Sequence, residues 1–167
     1  MAEKKYSVDI EGSDLMSRVL LQLLNTFPGI TDGNSIKFST LNKDKGIGFY
    51  PTSGAAILDK EEDICGHVKM TCLYPFTIIY RASPSSEQQR LRIKEWLDLL
   101  GKWLELAPVV INEETYQLTE YPAIDNDSRV IQSIVRTQPG HLESAYEDGV
   151  EDWVLSGNLH YINEYNT

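Results

Sequence analysis

The chain has 167 residues, 41% of them hydrophobic and 24% charged, with two cysteines and a formal net charge of −10. A domain of this length buries roughly 70% of its unfolded surface, so a core forms without metal or disulfide staples, and two cysteines make no disulfide framework. The charge is unevenly placed: residues 1–102 hold 13 acids and 13 bases, whereas 103–167 hold 12 acids against Arg129 and Arg136 alone, which excludes phosphate-backbone binding by the C-terminal part.

Residues 1–12 read as a flexible N-terminal segment with no apolar run of the kind a signal peptide carries. No apolar stretch approaches the ~20 residues of a membrane span, so no membrane is expected. Ser13 can cap a first helix, with Asp14 near its positive end. Leu15, Met16, Val19, Leu20, Leu23, Leu24 and Phe27 recur at helical spacing until Pro28-Gly29 stops the run. Ile36 to Tyr50 reads as two short strands around the turn-forming Asn42–Gly46. Pro51 to Gly54 then opens a polar loop that continues through Asp59–Asp63.

From 68 to 80 the even positions are Val68, Met70, Cys72, Tyr74, Phe76, Ile78 and Tyr80, while the odd ones include Lys69, Thr71 and Thr77. Strict alternation means a strand with one buried face. Pro75 removes a ladder donor on the other face, which predicts a bulge or an edge location. Ser85 with Gln88 offers a capping box for a helix whose apolar face is Ile93, Trp96, Leu97, Leu100, Trp103, Leu104 and Ala107, ended by Pro108. Val109-Val110-Ile111 is too short to classify. Arg129 to Thr137 is β-branched and reads as a strand ended by Pro139-Gly140. Trp153, Leu155, Leu159 and Tyr161 alternate with polar residues in a closing strand, and 163–167 reads as a flexible tail. The sum is one domain over 1–167 of α+β class, a mixed, largely antiparallel sheet with two amphipathic helices packed on it.

The sequence predicts no catalytic, cofactor or metal site. Cys65, His67 and Cys72 match no common zinc spacing, and strand parity sends Cys72 to the other face. Asp125-Asn126-Asp127 starts like a calcium loop, but Arg129, Val130 and Arg136 stand where it needs ligands and a glycine. There is no G-x-S-x-G elbow, no H-E-x-x-H and no phosphate-cradling glycine motif. Glu147-Asp148-Gly149-Val150-Glu151-Asp152 reads as a solvated turn entering a strand, and an exposed acidic turn can also dock a partner. A reducing, cytoplasmic site of synthesis fits the cysteine usage. A small enzyme with a dispersed site and an acidic binding module for a basic partner are the rival classes.

Three segments carry a resemblance: Tyr74-Pro75-Phe76-Thr77-Ile78-Ile79-Tyr80-Arg81 leading into the Gln88–Leu104 helix, Val130 to Pro139, and Glu147-Asp148-Gly149-Val150-Glu151-Asp152-Trp153. With Gly46-Ile47-Gly48-Phe49-Tyr50-Pro51, this order is similar to the minor capsid or tail terminator proteins of long-tailed phages and prophages of Gram-positive bacteria. The resemblance covers about residues 13–162. It implies a lambda-type tail terminator fold and a structural, non-enzymatic protein without cofactor, located at the head-proximal end of the virion tail after assembly in the host cytoplasm. It also implies self-association into a hexameric ring that ends tail polymerisation, contacts the tail tube protein and presents the surface to which the head-completion protein joins; a connector or completion role in the same particle is the neighbouring reading. DNA would pass through without specific binding. Arg81, at the polar end of its strand, reads either as a solvated strand end or as a bridge to a neighbour's acidic turn, and Glu147, Asp148, Glu151 and Asp152 either as solubilising charge or as a working acidic surface on the lumen or one ring face.

Overall fold

A computed structural model describes residues 13–31, 33–52, 56–124 and 129–167. The 1–12 segment, the side chains of Ser13 and Asp14, and Asp125-Asn126-Asp127 lie outside the described residues. The elements run α1 (Ser13–Leu24), β1 (Ile36–Phe38), β2 (Gly46–Pro51), β3 (Ala56–Glu62), β4 (His67–Ala82), α2 (Glu87–Leu104), β5 (Val109–Ile111), β6 (Glu114–Tyr116), β7 (Arg129–Ala145) and β8 (Glu151–Asn166). The fold is α+β. A six-stranded, largely antiparallel sheet has the order β1-β2-β4-β8-β7, with β3 also on β4, and β5 and β6 form a separate hairpin. Among the described residues, only the β1–β2 pair is parallel.

The alternation of 68–80 places β4 at the centre. Val68, Met70, Cys72, Tyr74, Phe76 and Ile78 are all buried, and β8 matches them with Leu155, Leu159 and Tyr161 in an unbroken register from His67–Asn166 to Ala82–Glu151. Pro75 therefore causes no bulge against β8, and its strand is interior rather than at an edge. The expectation fails for a local reason. β2 covers the other side of β4 from Phe76 to Arg81 and β3 covers it from Val68 to Leu73, so Pro75 falls in the gap between them. Its carbonyl accepts from Thr52 N on that side at 3.1 Å. Amide and carbonyl of one residue in an antiparallel strand share a side, so the missing N–H faces the gap, just past the Pro51–Phe76 pair that ends the β2 ladder.

The helices cover the even-numbered face of β4. Met16, Leu20, Leu23 and Leu24 from the first and Phe27 just beyond its end, with Ile93, Leu97, Leu100, Trp103 and Leu104 from the second, join the sheet residues in one core. Full burial of each such aliphatic side chain contributes about 1.5–3 kcal/mol. Aromatic contacts knit the helices together: the Phe27 ring lies 5.5 Å from Trp96 and 5.4 Å from Trp103, and Trp96 Nε1 donates to the Gly29 carbonyl at 2.8 Å. The cap of α2 sits one residue later than the Ser85–Gln88 box. Ser86 Oγ accepts from Gln89 N at 3.2 Å, while Gln89 Oε1 accepts from Ser85 N at 2.7 Å. The repeat Ser-Ser-Glu-Gln-Gln offers both frames, and the later one wins. The helix ends at Leu104, before Ala107, because Leu106 turns left-handed (φ 65°) and Ala107 N reaches back to the Lys102 carbonyl, a Schellman closure just ahead of Pro108.

Three stretches depart from the sequence reading. The polar 56–62 stretch is a strand, not a loop. All seven β3 side chains are exposed, so no burial period marks it; the ladder to β4 makes it, closed by Asp63 Oδ1 accepting from Cys65 N and His67 N at 2.8 and 3.0 Å. Pro139-Gly140 does not end β7, which runs on to Ala145 through repeated register shifts against β8. At Gly140 the strand presses on α2: an added Cβ would meet Leu97 Cβ at 2.9 Å, and Gly140 N donates to Asp98 Oδ1 at 2.7 Å. Finally, 163–166 complete β8 against β4, and Thr167 N donates to the Gly66 carbonyl at 2.8 Å, so this stretch is part of the sheet and not a tail.

Candidate functional site

The five residues expected at a partner surface converge at one end of the sheet, where β4 ends and β8 begins. Arg81 and Asp152 are register partners on the face away from the helices. Arg81 Nε donates to Asp152 Oδ1 at 2.7 Å and Nη2 to Oδ2 at 2.8 Å, a bidentate fork. Tyr146 OH donates to the same carboxylate at 2.9 Å, and its ring centroid lies 5.8 Å from the guanidinium carbon. Arg81 Nη1 also donates to the Asn42 carbonyl at 3.2 Å. The bond from Arg81 holds the Asp152 carboxyl below the ordinary carboxylate range against the opposing effect of burial, and the same bond raises the Arg81 guanidinium.

Glu151, one residue earlier, points to the opposite face, as strand alternation requires. It accepts from Arg90 in the first turns of α2 (Nη2 to Oε2, 2.9 Å) and from Trp153 Nε1 at 3.2 Å. The Arg90 bond lowers its pKa. Two adjacent carboxylates thus clamp the start of β8 from both sides, one to β4 and one to α2.

This divides the 147–152 stretch, read as a solvated turn entering a strand, between an exposed turn and a buried strand start. Glu151 and Asp152 are each only 6% exposed and are neutralised within the chain. Arg81, likewise, already has its carboxylate on the neighbouring strand of its own sheet, so bridging a neighbour's turn would require giving up a bidentate bond. Glu147 and Asp148 alone stay exposed. They sit in the β7–β8 turn, where Gly149 takes φ +87° and donates to the Tyr146 carbonyl, while Asp148 Oδ1 accepts from Val150 N at 3.1 Å. With Lys43, Arg81, Tyr146 and Val150 they line an open groove of about 400 Å³. Its lining brings Lys43 and Arg81 together with the two carboxylates.

Elsewhere, Ser133 Oγ lies 3.4 Å from His160 Nδ1 on the helix-free face, and among the described residues no carboxylate orients that ring as a triad would require. Cys65 is exposed in the β3–β4 turn and Cys72 is buried in the core, and no group of three or more His, Cys, Asp or Glu among the described residues could hold a metal ion. No helix among them is long and apolar enough to cross a membrane. No family model matches the chain, and no curated protein does.

The sequence reading names Arg81, Glu151 and Asp152 but not Arg90, Tyr146 or the pairing itself. A signal existed. Arg81 and Asp152 sit at matching ends of two alternating strands, both on the polar parity, which antiparallel pairing would bring face to face.

Proposed function

We propose that this chain is a structural assembly protein of a long-tailed phage, a tail terminator that caps the tail tube as a ring and offers the surface to which the head joins. The observation that carries the reading is where the resembling segments fall: Tyr74–Arg81, Gln88–Leu104, Val130–Pro139 and Glu147–Trp153 are β4, α2, β7 and the β7–β8 turn with the start of β8. These are the elements that build the central sheet and its helical cover. A scaffold with two Arg–carboxylate clamps and an open groove also suits a protein whose work is holding neighbours in place. Because Glu151 and Asp152 are internally paired, Glu147 and Asp148 carry the exposed acidity of this end, and on a lumen wall they would repel passing DNA.

The test is the state of association of the purified chain. Sedimentation equilibrium and negative-stain images should give a closed ring of about six 19.0-kDa chains, whereas a strict monomer across micromolar to millimolar concentrations contradicts the reading.

A further inference from the structure

Among the described residues the sheet has three outer edges, at β1, β3 and β7. At β1, the Asn25 side chain takes both backbone groups of Ile36, accepting from its N–H at 2.8 Å and donating to its carbonyl at 3.0 Å. At β7, Pro139 and four register shifts break the outer line of donors. β3 carries a single register shift, between Ile57 and Asp59, and no proline. Its inner side pairs with β4, among the described residues no strand pairs with its outer side, and all seven of its side chains are exposed.

The order of side chains along this open edge is specific. Ile57 and Leu58, 44% and 55% exposed, come first, followed by Asp59, Lys60, Glu61, Glu62 and then Asp63. Two copies of this edge would bring like charges together. An antiparallel strand suited to it reads basic first, opposite Glu61 and Glu62, and apolar later, opposite Ile57 and Leu58. The chain contains that order in Lys4-Lys5-Tyr6-Ser7-Val8-Asp9-Ile10, with apolar residues at every second position from Tyr6.

We propose that the open edge of β3 is a strand-docking surface whose occupant is the Lys4–Ile10 segment of a second copy of this chain. A strand added to an exposed edge gains affinity from main-chain bonds and selectivity from alternate side chains. The contact is heterologous, one copy's segment on the next copy's edge, so it can repeat around a closed ring. In this respect it rests on the ring reading above and names the joint.

A charge swap tests it by sedimentation and light scattering on the full chain. K4E/K5E and E61K/E62K should each weaken self-association by at least about tenfold, and the four changes combined in one chain should restore it, because the complementary order returns with its signs reversed. Thermal melts check the fold; Glu61 and Glu62 are exposed. In the wild-type assembly the β3 amides should exchange more slowly than in K4E/K5E. If E61K/E62K assembles as the wild type does, the joint lies elsewhere and the ring reading stands. If the wild type never associates, both fall. If K4E/K5E lowers the melting temperature without changing the mass, the segment docks on its own copy, and the second-copy assignment is overturned.

Discussion

Asp152 shows how a carboxylate on a polar turn becomes a structural clamp. Removing one side of a partly buried, bidentate ion pair strands the other, and with Arg81 still partly in solvent the cost is about 1–2 kcal/mol, below the 3–5 kcal/mol of a fully buried pair. Arg81→Ala and Asp152→Asn should each lower the melting temperature by a few degrees at pH 7. The Asp152 and Glu151 carboxyls both sit below their ordinary values because of Arg81 and Arg90. Their contribution is therefore present above the unfolded-chain values near ~4 and is lost as pH falls through the lower folded values. A pH series of melts should show a steep acid limb below about pH 5 in the wild type and a shallower one in Asp152→Asn; parallel limbs would mean that the pair contributes nothing. Glu147→Lys with Asp148→Lys, by contrast, should change stability by less than about 0.5 kcal/mol, as exposed turn positions do. Any loss of assembly or of DNA passage in that variant is then a surface effect and not a folding one.

At the scale of elements, the parts that read clearly in the sequence are those whose side chains keep one period throughout. β4 and α2 do so, because a single face of each meets the core and no other demand interrupts the pattern. β3 does not, since a strand exposed on both faces is specified by its partner's backbone and leaves no hydrophobic period to read. β7 hides its length for a different reason. Pro139-Gly140 has the composition of a turn, yet at Gly140 the missing side chain admits close approach to Leu97. Gly140→Ala should therefore destabilise the protein by about 1–3 kcal/mol through overpacking against α2, measured by denaturant titration; an unchanged midpoint would mean that the contact relaxes freely. The clamp residues were legible as positions but not as partners. Arg81 and Asp152 are 71 residues apart, and Arg90 and Glu151 are 61 apart, so only the tertiary register joins them.

For the whole molecule, the linear charge map folds back on itself. The acidic part after residue 102 takes Arg81 and Arg90 from the neutral part, so the split along the chain is not a split in space. What stays exposed at the sheet end is the short acidic turn of Glu147 and Asp148, beside a groove built on rigid, paired strands. The role proposed for a protein of this form is to end a tail tube and join it to a head. The most direct measurement is electron microscopy of particles made after deletion of the encoding gene, with and without the protein supplied in trans. Tails of uncontrolled length with unjoined, filled heads, corrected by the supplied protein, are the predicted result; tails of normal length joined to heads in its absence would contradict the account.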